Sequence, residues 1–256
     1  MKAIIIGAGR GARIMPYSEK VPKCFTEING KRIIDWILES LHGAGVKDIH
    51  FIGGYHIDIV KAEYPEFTFH HNADWQDNNI LESLFHAEAE MEGGFISTYS
   101  DIIYTPDIVR KLVANPNDLV LGVDIDWYNR YIPRTFHPMN DGEKVLLNGT
   151  KVLRVSRDIP NNVAPAEFIG VAKFTNSGAK QLIASYHSAK SEFEGKPFGG
   201  APLFKKAYLI HLFQEMIEHG VEFHFETTPG KYFEIDTVQD LQLASAALSL
   251  YLPATL

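Results

Sequence analysis

The chain has one cysteine, Cys24, in 256 residues. That excludes an intramolecular disulfide framework and any cysteine-based zinc cluster, and it fits a reducing compartment. No apolar run approaches the roughly 18 residues of a membrane span. The opening "MKAIIIG" holds four apolar residues before glycine and soon meets Arg10, too short a run for the core of a secretory signal. The cytoplasm is the expected location. Positive charge is also scarce: 24 Lys and Arg against 32 Asp and Glu leave a formal net charge of −8. A general nucleic-acid binder needs a basic surface, so that class is disfavoured. Internal repeats and low-complexity tracts are absent. The eleven histidines show neither HxH nor HExxH spacing and read as scattered structural or surface residues.

What is present is an ordinary globular composition, 45% hydrophobic and 22% charged, enough to bury one sizeable core. Residues 3–6 read as a buried strand closed by glycine. Between Arg32 and Leu41 the residues Ile33, Ile34, Ile37, Leu38 and Leu41 follow the helical period, and Gly43 and Gly45 end it. Strands are expected at "DIHFIGG", "FTFHHN", "GGFISTYSD" and "DLVLGVDID", with helices near 79–91 and at "TPDIVRKLV" among them. Such alternation implies a mostly parallel sheet covered on both faces. From Trp127 to about Pro165 turn residues and short β segments prevail, which reads as a β-rich insertion. Then come a strand at "EFIGVAKF", helices near 177–189 and 203–219, a strand pair in "VEFHFETTPGKYFEID" and a last helix, "TVQDLQLASAALSLYL". The prediction is one Rossmann-like α/β domain over residues 1–256, in two halves at 1–126 and 127–256.

The stretch "AIIIGAGRGARIMPYSEKVPKCF" breaks from an apolar strand into glycines and basic residues. A dinucleotide fingerprint would read G-x-G-x-x-G; here Gly7, Gly9 and Gly11 fall at every second residue and Ala12 takes the sixth position. Arg13, Pro16, Pro22 and Lys23 then occupy the place of a regular helix, which Pro16 would interrupt after barely a turn. An NAD-dependent oxidoreductase is disfavoured on that ground. The G-K-[ST] ending of a P-loop is missing too. The loop suits an anion with many oxygens, held by backbone N–H groups, guanidinium and ammonium together. A glycine turn with solvated basic residues is the plainer reading. Asp101 and Asp236 each end an apolar segment, where a carboxylate either projects from a sheet edge toward a ligand or caps a turn or helix.

These residues resemble the signature of the nucleotidyltransferases of the GT-A-like fold, approximately A-A-G-x-G-x-R-[LM]-x-P followed by P-K. Gly9, Gly11, Arg13, Pro16, Pro22 and Lys23 match, while Ile6-Gly7 replaces the usual Leu-Ala. "GKRIIDWILESLHGAGVKDI", "YSDIIY" and "FEIDTVQDLQLA" are similar to the family's next helix, its metal-binding segment and its C-terminal segment. The resemblance therefore covers nearly the whole chain. It implies an enzyme that joins a nucleoside triphosphate to a phosphorylated acceptor and releases pyrophosphate, with Mg²⁺ as cofactor. By the same resemblance Asp101 and Asp236 would hold the metal, Lys23 would contact the transferred phosphate and Arg13 the β- and γ-phosphates. Gly7, Ala8, Gly9, Arg10 and Gly11 would cradle the nucleotide, although Arg10 reads equally as a solvated loop residue. Asn79 and Ser83 would lie beside the base, with Asn78 a candidate helix cap. Asp74, Asp77, Asp124 and Asp126 are weaker metal candidates. A nucleotide-sensing module without catalysis would be expected to have lost an Asp or the Lys, and all three stand here.

The segment "VDIDWYNRYIPRTFHPMNDGEKV", with "EFIGVAKF" and "EIDTVQDLQLA", is similar to phosphocholine cytidylyltransferases and their phosphonate-using relatives. That likeness implies CTP as donor and phosphocholine or an aminoalkyl phosphonate as acceptor. Trp127, Tyr128 and Tyr131 with Glu167 offer aromatic faces and a carboxylate to an ammonium head group, or else simply pack. A sugar-1-phosphate nucleotidylyltransferase using UTP, CTP or GTP shares the first loop and stands as the alternative. Oligomeric state is open, as is whether the last helix packs on its own domain or on a second subunit.

Overall fold

A computed structural model describes residues 1–251 and the side chains of residues 1–248; Leu252, which the sequence reading puts in the last helix, lies outside the described residues. Strand β1 (Lys2–Gly7) shows why the chain layers as it does. Ala3 and Ile5 point into one hydrophobic cluster, Ile4 and Ile6 into another, so the strand is buried on both faces. Single 3₁₀ turns at Ala12–Ile14 and Lys23–Phe25 lead to the small ladder of β2 (Glu27–Ile28) and β3 (Lys31–Arg32). Helix α1 (Ile33–Gly43), β4 (Asp48–Gly53), α2 (Ile57–Glu63), β5 (Thr68–His71) and α3 (Ile80–Phe85) follow. Next are β6 (Phe95–Tyr99), β7 (Ile102–Tyr104), α4 (Pro106–Ala114), β8 (Leu119–Asp124) and the short α5 (Trp127–Tyr131). The second half adds β9 (Lys144–Asn148), β10 (Lys151–Ser156), β11 (Ala166–Phe174), α6 (Asn176–Phe193) and α7 (Leu209–Glu218). It ends with β12 (Phe223–Thr228), β13 (Tyr232–Glu234) and α8 (Val238–Tyr251).

Nine strands form one sheet in the order β5-β4-β1-β6-β11-β8-β12-β10-β9. Strands β5, β4, β1 and β6 run parallel, and so do β8 and β12. Strand β11 runs antiparallel to both β6 and β8, and β9 and β10 pair antiparallel. The sheet is therefore mixed, which corrects the expectation of a mostly parallel one. The chain leaves β8 through α5 and the β9–β10 hairpin and returns from the same edge, so no crossover helix is needed to bring β11 in reversed. The stretch read as an insertion extends this sheet instead, with β10 on β12 and β9 on β11. The expected terminal strand pair also divides: β12 joins the large sheet, whereas β13 pairs with β7. The helix read near 79–91 stops at Phe85 and resumes as a 3₁₀ turn at Glu88–Glu90, and that near 203–219 begins only at Leu209. One face of the sheet packs against residues such as Leu84, Leu182 and Phe213, the other against Ile37, Val109 and Ala244.

The reversal of β11 matters for what gathers at one edge. The C-terminal ends of β1, β6 and β8 lie there, and so does the start of β11, because Glu167 pairs with Asp124. Between Phe168 and Ala172 the β11 register shifts. Gly170 sits in that irregularity with φ +77°, and a Cβ there would lie 2.5 Å from the Tyr99 ring. Glycine is required on both counts. Gly170→Ala is expected to destabilise the protein by about 1–3 kcal/mol and to lower the urea midpoint at unchanged slope. An unchanged midpoint would show that the bulge tolerates a side chain.

Candidate active site

A cavity of about 560 Å³ opens at this edge. The glycine loop forms one wall. Gly11 has φ +67°, and a Cβ there would stand 2.9 Å from Cβ and Cγ of Lys23. Glycine thus lets the lysine stem cross the loop, which the Ser18 hydroxyl braces by donating to the Gly11 carbonyl at 2.7 Å. The helix of a dinucleotide fold does not form, since the 3₁₀ turn after Gly11 ends before Pro16, as the prolines demand.

Pairing of β13 with β7 sets Glu234 opposite Ile102, and the Ile235 amide donates to the Asp101 carbonyl at 2.9 Å. Asp101, just before β7, and Asp236, just after β13, therefore face each other across the end of this ladder. Between them lies the Lys23 ammonium, donating to Asp101 Oδ2 at 2.7 Å and Asp236 Oδ1 at 2.5 Å. Arg13 Nη2 donates to Asp236 Oδ2 at 2.8 Å. Burial alone would depress the Lys23 pKa, but Asp101 and Asp236 reverse this and raise it. Burial would likewise raise Asp236, yet Lys23 and Arg13 hold it far below the usual carboxylate range. Asp236 does not cap the last helix. That role falls to Thr237 and Asp240, with Asp240 Oδ2 accepting from the Thr237 amide at 2.8 Å and Thr237 Oγ1 accepting from the Asp240 amide at 3.2 Å.

The residues suit a hard divalent cation. Two carboxylates on separate segments converge on one point, now held by the lysine ammonium. His137 belongs to the same group, a correction to its reading as a scattered residue. It is buried, with Nδ1 3.4 Å from Asp236 Oδ2, and His137, Glu234 and Asp236 offer donor atoms within 4.8 Å of one another. Burial, then Arg134, push the His137 pKa down to about 4, so its ring is neutral at pH 7. Burial, then Asp236, push Glu234 up to about 8.

Asn78, Asn79 and Ser83 also line the cavity, near Trp75. Asn79 rather than Asn78 caps α3, its Oδ1 accepting from the Ile80 amide at 2.8 Å. Asn72 Nδ2 donates to Asn78 Oδ1 and to Ser83 Oγ, each at 2.9 Å, and so holds both. Gly7, Ala8 and Gly9 join Gly11 in the lining, but Arg10 stands outside it, exposed over the Tyr55 ring. Asp74 and Asp77 face a neighbouring depression. Asp124 is buried and accepts from the Asp126 and Gly230 amides, while Asp126 holds Asn129. None of these four reaches the Lys23 cluster.

The expected aromatic pocket does not form around the cavity. Trp127 is 1% exposed and its indole N–H donates to the Ala164 carbonyl at 3.1 Å. Tyr131 is buried and donates to Glu167 Oε1 at 2.8 Å, while Tyr128 is exposed outside the lining. Helix α5 turns its large rings into the core, where burial outweighs exposure to a ligand. Glu167 does reach the cavity, already paired with Arg130. The aromatic wall is instead Trp75, Tyr99, Phe168, Tyr208 and Tyr232, and Glu143 and Arg157 complete it. The sequence carries no local signal for these, because ladder pairing assembles them from distant segments. Burial pushes the Glu143 carboxyl up to about 7 against the pull of Arg157.

Comparison with known proteins agrees with this geometry. The MobA-like NTP transferase domain matches residues 3–127. The CTP:phosphoglutamine cytidylyltransferase of Campylobacter jejuni is 28% identical over 255 residues, 95% of this chain and 98% of that protein. The 2-aminoethylphosphonate cytidylyltransferase of Lancefieldella rimae is 30% identical over 207 residues, 74% of this chain and 73% of that protein. In three dimensions the CTP:phosphocholine cytidylyltransferase of Streptococcus pneumoniae superposes with a TM-score of 0.72 at 22% identity, covering 96% of this chain and 98% of that one.

Two expectations follow from burial. Trp127→Ala should cost about 3–5 kcal/mol of stability as a core truncation, read as a drop in unfolding midpoint; a neutral change would return Trp127 to the candidate binding residues. Glu143 carries a folded pKa above its unfolded value, so the native state binds the extra proton and stability falls as pH rises from about 4.5 to about 7. Glu143→Gln should flatten that slope in urea titrations run across the window. An identical slope would place the proton elsewhere.

Proposed function

This chain belongs to the MobA-like NTP transferase family of nucleotidyltransferases, and on that premise we propose that it is a Mg²⁺-dependent cytidylyltransferase joining CTP to a small phosphorylated or phosphonate acceptor. The observation that carries the reading is the convergence of Lys23, Arg13, Asp101 and Asp236 beside the glycine loop. The cavity volume lies within the range of ordinary small-molecule sites. The activities of the Campylobacter and Lancefieldella relatives favour CTP and an acceptor of this kind.

In the reaction an oxygen of the acceptor phosphate or phosphonate bonds to the α-phosphorus of CTP. The bond from that phosphorus to the bridging oxygen breaks, and the electron pair leaves with pyrophosphate. Positioning and charge neutralisation supply the rate, with no covalent intermediate on the protein. Backbone amides of residues 8–11 cradle the triphosphate, and the Arg13 fork takes its outer phosphates. The Lys23 ammonium, a point charge on a flexible stem, exchanges carboxylate partners for phosphate oxygens as charge develops. Asp101 and Asp236 would hold Mg²⁺, which neutralises phosphate charge when bound. Asn79 and Ser83, both in the cavity lining, would lie beside the base.

The test is pyrophosphate release from each of four nucleoside triphosphates against phosphocholine, 2-aminoethylphosphonate, phosphoglutamine and glucose-1-phosphate. CTP with an amine-bearing acceptor should be fastest. Best turnover with UTP and the sugar phosphate would sink the cytidylyltransferase reading and leave family membership intact. Asp236→Ala should lower kcat by roughly a hundredfold or more at saturating Mg²⁺, since several kcal/mol of charge stabilisation is lost. Lys23→Ala should act mainly on kcat, whereas Arg13→Ala should also raise the KM for CTP. Near-normal turnover of Asp236→Ala would remove it from the metal site.

A further inference from the structure

Glu143 directly precedes β9 and Arg157 directly follows β10, and the pairing of Lys144 with Ser156 sets the two side by side at the base of the hairpin. The Glu143 carbonyl accepts from the Phe168 amide at 2.7 Å, which ties this base to the start of β11. Both side chains line the cavity. Apart from Asp141, which stands 4.0 Å from Arg13 Nη1 at the Lys23 end, the other charged groups there are already committed. Asp101 and Asp236 hold Lys23 and Arg13, Glu167 is taken by Arg130 and Tyr131, and Glu234 pairs with Arg134.

Glu143 and Arg157 are bound to each other only loosely. Arg157 Nη2 donates to Glu143 Oε1 at 3.3 Å, and Glu143 Oε2 receives the Tyr99 hydroxyl at 3.1 Å. The Arg157 guanidinium carbon lies 3.9 Å from the centroid of the Tyr208 ring, and its buried Nε has no hydrogen-bond partner. A guanidinium held over an aromatic ring with donors to spare is a receptor for a carboxylate. The incompletely compensated acid beside it, raised by burial, is a receptor for an ammonium. An ammonium and a carboxylate on one carbon present the complementary charges side by side. An acceptor with an ammonium alone would leave Arg157 unanswered, and a sugar would leave both unanswered, at the cost of buried polar groups without partners.

We infer that the acceptor is a phospho- or phosphono-amino acid, with Arg157 reading its α-carboxylate and Glu143 its α-ammonium. This rests on the nucleotidyltransferase reading of the cavity and names its substrate class. Tyr99, two positions before Asp101, reaches Glu143 and links the head-group end of the cavity to the reacting end.

Matched acceptors that differ only by the carboxylate test the inference. O-phosphoserine is set against phosphoethanolamine, and 2-amino-4-phosphonobutyrate against 3-aminopropylphosphonate. With CTP and the unmodified protein, kcat/KM should favour the carboxylate-bearing member by about thirtyfold, the worth of one charge-assisted hydrogen-bonded contact. Arg157→Met should bring the two members of each pair together by lowering only the amino acid, and Arg157→Lys should restore part of the preference. Glu143→Gln should lower both members, and the KM for CTP should hold in all three variants. Equal kcat/KM within each pair for the unmodified protein would overturn the inference. So would Arg157→Met lowering both members alike, which would place Arg157 on the phosphoryl group. Calorimetric binding of the same pairs separates this from the choice of donor. Tighter binding of the amino acid supports the inference even if CTP proves the wrong nucleotide, and equal binding overturns it.

Discussion

The site depends on a cation held between two carboxylates. Lys23 stands between Asp101 and Asp236, 2.7 and 2.5 Å from their oxygens, and its positive charge offsets both. Removing one partner from a buried group of this kind leaves an uncompensated charge costing about 3–5 kcal/mol. The rest of the structure serves that placement. Gly11 clears a path for the lysine stem, the β7–β13 ladder aligns the two acids, and Thr237 with Asp240 relieves Asp236 of helix capping. A protein built only for stability would gain little from such a cluster. One that must bind polyphosphate gains a set of charges ready to change partners.

The antiparallel strand β11 gives the cavity its second half. In an all-parallel sheet the start of that strand would lie at the opposite edge, away from the glycine loop. Reversed, it brings Glu167 and Phe168 to the ends of β6 and β8 and draws the base of the β9–β10 hairpin with it. The residues proposed for the nucleotide and for the acceptor thereby line one opening. The burial that follows explains the perturbed acids. Glu143 and Glu234 sit too deep for full hydration, and their neighbours compensate them only in part.

The histidine and the aromatic residues show where side-chain type misleads. His137 has no companion at a metal-site spacing, yet it packs against Asp236 because the chain folds back between α5 and β9. Trp127, Tyr128 and Tyr131 cluster in sequence as a binding group would, and two of them are core. Clustering along the chain measured local helix geometry rather than a shared surface.

The sequence by itself determined the strand–loop opening, the failure of a helix after Gly11, the alternation of strands and helices through the first half, and the candidacy of Arg13, Lys23, Asp101 and Asp236. These are local properties, written in glycine spacing, proline placement and apolar runs that end in a charge. Tertiary structure alone decided the direction of β11, the division of β12 from β13, the outward place of Arg10 and the meeting of Glu143 with Arg157. Each of these rests on which strands pair and in which sense. Hydrogen bonds between segments far apart in the chain settle that choice, and no window of neighbouring residues contains it.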